Sequence, residues 1–247
     1  MTSPSLSGGA CGLALVDPEK RRITERTENI VALYVVAVTG ASGAIYGLRI
    51  IGELLKRGDD VDLIISPSGF LILKEEAGLD LRGRGGGGGG SVAAGIRSCL
   101  EEPRGRGKRG KGKRPVLKGR LNFFPSDDLT ASCASGSAGV EAMVVCPCSM
   151  GTLARIASGA STNLIERAAD CALKEKRTLV VVPRETPLNT IHLENMLRLG
   201  RAGAAIVPAM PAFYNRPAAI DDMVDFMAGK VLDMLGLENS LYKRWKK

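Results

Sequence analysis

The sequence predicts an α/β protein in which a parallel sheet is covered by helices on both faces, and three observations predict it. Short β-branched apolar runs recur along the 247 residues. They alternate with stretches whose apolar residues fall at helical spacing. The strand-like runs are continuously apolar rather than alternating, as strands buried on both faces are. Together these give a three-layer, doubly wound sheet of the Rossmann-like or flavodoxin-like kind, which takes its ligands at the carboxyl ends of the strands.

The first strand is IVALYVVAVT, residues 30 to 39. SGAIYGLRIIGELLKRG follows as a helix, with Ile45, Leu48, Ile51 and Leu55 on one face and Gly58 as its stop. VDLIIS (61 to 66) is the second strand and FLILKEEAG the second helix. Three further strands are AMVVCP (142 to 147), TLVVVP (178 to 183) and AAIVPA (204 to 209). The helices among them are TLARIAS, NLIERAADCALKEKR and IHLENMLRLGRAG, and IDDMVDFMAGKVLDMLG closes the chain.

Two segments stand outside this alternation. Residues 1 to 30 lack a basic start followed by an apolar core and carry Asp17, Glu19, Glu25 and Glu28, so they read as a disordered leader. A cytoplasmic protein is the expectation, with an organelle address as the alternative. Residues 82 to 120 hold 12 of the 34 Lys and Arg but 2 of the 26 Asp and Glu, and 13 glycines. The net charge of +8 therefore belongs to this segment. So much glycine has a high ordering entropy, and the segment reads as a flexible insertion into a single domain made of residues 31 to 81 and 121 to 247. Its RGRGKRGKGKR core could bind nucleic acid or a membrane surface, although no aromatic residue is interleaved for base stacking. No stretch approaches the roughly 18 apolar residues of a membrane span.

The six cysteines are scattered, and Cys146 and Cys148 have no second pair or histidine cluster to complete a zinc site, His192 being the only histidine. Buried thiols and no metal are expected.

Chemistry-bearing residues gather at the expected strand ends. In VTGASGAIYG, Gly40 and Gly43 let backbone amides approach a ligand, Ser42 adds a hydroxyl, and the following helix offers its positive N-terminus to a phosphate. The second strand ends in Ser66-Pro67-Ser68, without the acid that would hold the ribose of a dinucleotide, so a mononucleotide is expected. Ser149, Gly151 and Thr152 crowd a second strand-to-helix turn, suited either to a phosphate or to helix capping. Arg184 and Glu185 end the strand VVVP as a charged pair, a phosphate clamp and proton-transfer group or a surface ion pair. Arg167 and Lys174, seven residues apart on one helix, could grip an anion, although Asp170 and Lys174 also fit an ordinary i,i+4 pair.

The stretches VTGASGAIYGLR, VVCPCSMGTLARIASGASTNLIERAADCALKEKR, VVVPRETPLNTIHLENM and PAMPAFYNRP together resemble the flavin prenyltransferases of the UbiX type, within the homo-oligomeric flavin-containing Cys decarboxylase-like class. The resemblance spans about Val35 to Trp245 outside the insertion. It implies a metal-independent enzyme that takes reduced FMN as substrate and joins a dimethylallyl group from dimethylallyl phosphate to flavin N5 and C6. It further implies a homododecamer whose product, prenylated FMN, serves a UbiD-type decarboxylase. By resemblance, Gly40, Ala41, Ser42, Ser66, Ser149, Met150, Gly151, Thr152 and Arg184 contact FMN. Arg167, Lys174, Tyr214 and Lys230 bind the prenyl phosphate, and Ser42, Glu76, Lys174 and Glu185 are catalytic. Lys230 stands where the family usually has arginine, and Leu129 where an aromatic residue often precedes the retained Ser135-Gly136-Ser137. Trp245 matches a tryptophan that helps to enclose the site. The competing readings are an FMN-dependent cysteine-type decarboxylase and a binding module working through the basic insertion. The former class usually employs a catalytic histidine, whereas His192 sits in IHLENM, a segment resembling the prenyltransferases.

Overall fold

The computed structural model describes residues 31–81, 90–102 and 114–245, and from Val31 onward the chain forms one compact unit. Six parallel strands make one sheet in the order β3-β2-β1-β4-β5-β6. They are β1 (Leu33–Val38), β2 (Asp60–Ile65), β3 (Leu121–Pro125), β4 (Val140–Cys148), β5 (Thr178–Pro183) and β6 (Ala205–Ile206). The helices are α1 (Ala44–Arg57), α2 (Pro67–Ala77), α3 (Gly90–Glu101), α4 (Met150–Ala157), α5 (Leu164–Lys174), α6 (Thr190–Arg201) and α7 (Ile220–Met234).

Residue alternation on the strands separates two apolar layers. Tyr34, Val36 and Val38 of β1 face a layer built with Leu48, Ile51 and Leu55 of α1, Leu73 of α2, Ile96 of α3 and Val231 of α7. Val35 and Ala37 face the other layer, with Leu153 of α4, Ala168 and Ala169 of α5 and Leu199 of α6. Close packing at the sheet sets one local rule in α1. A Cβ on Gly47 would sit 2.4 Å from the Cys146 carbonyl oxygen, so glycine is what lets α1 lie against β4.

The order reverses between β1 and β4, the topological switch point where a doubly wound sheet opens a crevice. Thr39, fully buried, ties that point together. Its hydroxyl donates to the Pro147 carbonyl at 2.8 Å and accepts from the Ser149 N–H at 2.8 Å.

Two features correct the sequence reading. Part of the segment expected to be a flexible insertion is the helix α3, whose Val92, Ala93, Ile96 and Leu100 are buried at helical spacing. Arg97 of that helix donates to the carbonyls of Gly119, at 2.9 Å, and Leu117. Apolar residues offset the ordering entropy here, which the glycine count of the whole segment conceals. The glycine and basic runs at 82–89 and 103–113 lie outside the described residues, as does the leader.

The second correction is a sixth strand. β3 joins the edge of β2, with Asp60 accepting from the Arg120 side chain and N–H and Asp62 from Asn122 at 2.9 Å. Burial on its own would raise the Asp60 carboxyl, but the Arg120 hydrogen bonds hold it below its ordinary value. At the other edge, β6 is shorter than expected, ending before Val207 and Pro208.

Candidate active site at the carboxyl edge of the sheet

A cavity of about 280 Å³ opens at the switch point, lined by residues that follow four neighbouring strands. Gly40 follows β1, Ser66 and Ser68 follow β2, Ser126 follows β3, and Ser149, Thr152 and Arg155 follow β4, with Asn163 at the start of α5. Three of these residues are helix N-caps. Ser66 accepts from Gly69 N–H at 3.0 Å on α2, Ser149 from Thr152 N–H at 3.3 Å on α4, and Asn163 from Glu166 N–H at 3.1 Å on α5. Three helix N-termini thus converge on one hollow, each presenting its positive end. Gly40 is required by proximity, because a Cβ there would fall 2.4 Å from Ser68 Cβ.

Of the expected FMN contacts, Gly40, Ser66, Ser149 and Thr152 line this cavity; Ala41 and Met150 are buried beside it in sequence, and Ser42 and Gly151 are exposed. The N-terminus of α1 differs from expectation. The Glu76 carboxylate accepts from Gly43 N–H at 2.8 Å and Ala44 N–H at 2.9 Å, so a side chain from α2 occupies the amides expected to meet a phosphate. Gly43 has no side chain with which to cap α1, and Glu76 supplies the missing acceptor. Arg184, just past β5, donates from Nε to the Ser42 carbonyl at 3.1 Å, joining the turns after β1 and β5. Glu185 beside it is exposed and accepts from its neighbour Thr186 N–H at 3.0 Å. Ser42, Glu76, Arg184 and Glu185 therefore stand on one edge.

The residues expected to bind the prenyl phosphate divide into two groups that a single chain does not bring together. α5 begins at the cavity, but as the return helix of a parallel unit it runs back against the strands. Its 11 residues carry Lys174 about 15 Å away, to the amino edge of the sheet. Arg167, on the first turn, donates from Nε to the Ala134 carbonyl at 3.1 Å, while at the far end Arg177 donates to the Gly136 carbonyl and a Cβ on Gly136 would lie 2.8 Å from Lys174 Nζ. Of the two cations expected at the carboxyl ends, Arg167 therefore stands on the turn next to them and Lys174 at the other end of the helix. Asp170 pairs with Arg167 at 3.2 Å and Lys174 with Glu175, rather than Asp170 with Lys174.

Tyr214 and Lys230 lie on the opposite face of the sheet, with α7. Lys230 Nζ sits 5.6 Å from the Phe226 ring centre and 5.1 Å from that of Tyr242. Tyr214 stacks edge-on with Trp245 at 5.1 Å and with Phe226 at 6.0 Å. A second cavity of about 410 Å³ is lined by Tyr214, Asn215, Arg216, Lys243, Arg244 and Trp245. Burial and a hydrogen bond to Asp233 push the Tyr242 hydroxyl up to about 12, so it stays a donor at neutral pH.

Other sequence candidates are structural. The side chain of His192 closes a capping box with Asn189 at the start of α6 and does not line the cavity. Cys133, Cys146, Cys148 and Cys171 are buried free thiols, and burial pushes Cys133 and Cys148 up to about 12. Among the described residues no group of three or more His, Cys, Asp or Glu could hold a metal ion, and no helix is long and apolar enough to cross a membrane.

Sequence reasoning missed Thr39, Ser126, Arg155 and Asn163, and it placed Ser68 at the right turn without giving it a contact. Asn163 carried a usable signal, since Asn163-Leu164-Ile165-Glu166 has the spacing of a capped helix start. Arg155 carried none, because only the fold turns that face of α4 toward the cavity.

Residues 22–232 match the flavoprotein family. The flavin prenyltransferase UbiX of Halalkalibacterium halodurans is 46% identical over 213 residues, spanning 86% of this chain and 93% of that relative. The fold is similar to a crystal structure of AnUbiX in complex with FMN and dimethylallyl pyrophosphate, with a TM-score of 0.73 and 34% identity over 88% of this chain and 99% of that one. It is also similar to a dodecameric FMN-dependent UbiX-like decarboxylase from Escherichia coli, with a TM-score of 0.70 and 35% identity over 87% of this chain and 100% of the other. A switch-point cavity with capped helix ends, and a match of this length and identity, lead to one assignment: the chain belongs to the flavoprotein family and, within it, to the flavin prenyltransferases of the UbiX type.

Proposed function

We propose that the protein binds reduced FMN at the switch-point cavity and joins a dimethylallyl group from dimethylallyl phosphate to its N5 and C6. The observation that carries this reading is the convergence of hydroxyls and three helix N-termini on one cavity, in a chain of this family. The fit is partial in a useful way. A cavity of about 280 Å³ is small beside the roughly 300 to 1,000 Å³ of complete small-molecule sites, so it suits the phosphate end of the nucleotide and leaves the ring toward Ser42 and Glu185.

Reduced FMN, when bound, supplies the nucleophilic nitrogen and carbon. The remaining tasks fall to the chain. As the allylic C–O bond breaks, negative charge grows on the departing phosphate, and Arg167, Lys174, Tyr214 and Lys230 stabilise it. Forming the second bond displaces the C6 hydrogen as a proton and requires a proton on the adjacent alkene carbon. Glu185, with Glu76 and Ser42 nearby, moves the one to the other, while the proton lost from N5 in the first bond goes to the released phosphate. Lys230 in place of arginine gives a point charge rather than a fork against the phosphate.

Because Arg167 and Lys174 stand on one face of the sheet and Tyr214 and Lys230 on the other, the prenyl phosphate site on this reading is completed by further copies of the chain. A dodecamer, the state of the E. coli relative, is the proposed assembly. Ile191, Leu193, Leu197, Met210, Phe213 and Ile220 are exposed apolar residues available to cover one another in it. The product is proposed to serve a UbiD-type decarboxylase.

The test is anaerobic incubation with reduced FMN and dimethylallyl phosphate, followed by mass spectrometry of the extracted flavin. The expected outcome is a prenyl adduct of FMN; unchanged FMN recovered from folded, flavin-loaded protein would reject the activity.

A further inference from the structure

The cavity contains a charge that neither the motifs nor the relatives assign. Among its lining residues Arg155 is the only charged one. It stands on α4, one turn beyond Thr152 and nearly two beyond the N-cap Ser149, and its side chain is 49% exposed.

What fixes Arg155 is a carboxylate with no exposure at all. Glu166, on the first turn of α5, has 0% of its surface accessible. Leaving such a group unsatisfied would be costly, and the structure gives it four donors. Thr162 donates from its N–H at 2.8 Å and its hydroxyl at 2.6 Å, Asn163 from its amide at 2.7 Å, and Arg155 from Nε. Burial alone would raise the Glu166 carboxyl, but the Thr162 and Arg155 hydrogen bonds hold it below its ordinary value, so it is ionised at neutral pH.

The pairing leaves the working end of the guanidinium free. Nε is committed to Glu166, and Nη2 donates to Thr152 Oγ1 at 3.3 Å. Nη1 makes no hydrogen bond among the described residues and lies 3.5 Å from where a Cβ on Gly151 would be. A fixed cation thus shares one hollow with three capped helix N-termini, an environment that favours a dianion over a neutral group.

We propose that Arg155, oriented by Glu166, binds the phosphate of the flavin nucleotide and thereby makes the site select FMN over the unphosphorylated flavin. The proposal rests on the reading that this cavity binds FMN. Arg155 is the contact residue and Glu166 a positioning residue.

The experiment measures the affinities of the full-length protein for FMN and for riboflavin by fluorescence, in wild type, Arg155→Ala and Arg155→Lys. Wild type is expected to prefer FMN. Arg155→Ala should bind FMN roughly 10- to 100-fold more weakly, the worth of one charge-assisted hydrogen bond, with riboflavin affinity unchanged. Arg155→Lys should recover part of the loss, and inorganic phosphate should compete with FMN less well in Arg155→Ala than in wild type. Glu166→Gln, provided its thermal unfolding stays cooperative, should shift the FMN to riboflavin ratio in the same direction. Equal weakening of both flavins in Arg155→Ala, or no weakening of either, would overturn the proposal. Wild type that selects FMN through Arg155 yet forms no prenyl adduct would remove the transferase reading alone.

Discussion

Glu76 and Glu185 face the same edge with different commitments. Glu76 accepts from two backbone amides and closes the end of α1, whereas Glu185 is exposed and among the described residues its carboxylate accepts a hydrogen bond from its own neighbour Thr186. Substituting each by glutamine should therefore give different outcomes. Glu185→Gln should leave thermal stability unchanged and retain FMN while prenylation falls roughly 100-fold or more, as expected of a lost proton-transfer group. Glu76→Gln should lose about 0.5 to 1 kcal/mol of stability, because an amide is a weaker partner than a carboxylate at a helix N-terminus. Thermal melts read beside adduct yield check both, and wild-type turnover in Glu185→Gln would remove it from the mechanism. Ser42, Glu76, Arg184 and Glu185 are candidates from the sequence, and the structure brings them to one edge. The sequence could not reveal that Glu76 is also a cap, because that contact joins positions 33 apart.

At the scale of elements, apolar pattern was a good guide wherever burial was two-sided. β1, β2, β4 and β5 lie in the sheet interior; β1, β4 and β5 are continuously apolar or nearly so, and β2 is so from Leu63 onward, its Asp60 and Asp62 being engaged in the link to β3. β3 escaped notice because it is an edge strand of five half-buried or exposed residues, Leu-Asn-Phe-Phe-Pro, held largely by polar groups on β2. α3 escaped because its apolar stripe sits within a glycine and arginine background. Its contribution is measurable. Ile96 is 1% exposed in the layer shared with α1, so Ile96→Ala should cost about 2 to 5 kcal/mol in denaturant unfolding, the range for truncating a buried aliphatic side chain. A substitution in a flexible insertion would cost almost nothing, so a change below about 0.5 kcal/mol would place α3 outside the cooperative core.

For the whole molecule, fold class and cavity position followed from the alternation of strands and helices, since a doubly wound sheet places its crevice by topology. Pattern alone could not say which end of α5 a given cation occupies relative to the site. Lys174 was therefore expected beside the cavity although it stands at the far edge of the sheet. The separation of Lys174 from Lys230 by the sheet has a consequence for mixtures of inactive proteins. If each prenyl phosphate site takes Lys174 from one copy and Lys230 from another, Lys174→Ala and Lys230→Ala should complement. Each variant alone should be nearly inactive. Unfolded together, mixed in equal amounts and reassembled, they should recover activity at about a quarter of the sites, the fraction in which both intact residues meet by chance. No recovery from a reassembled mixture of full size would mean that each chain must furnish both lysines to its own site.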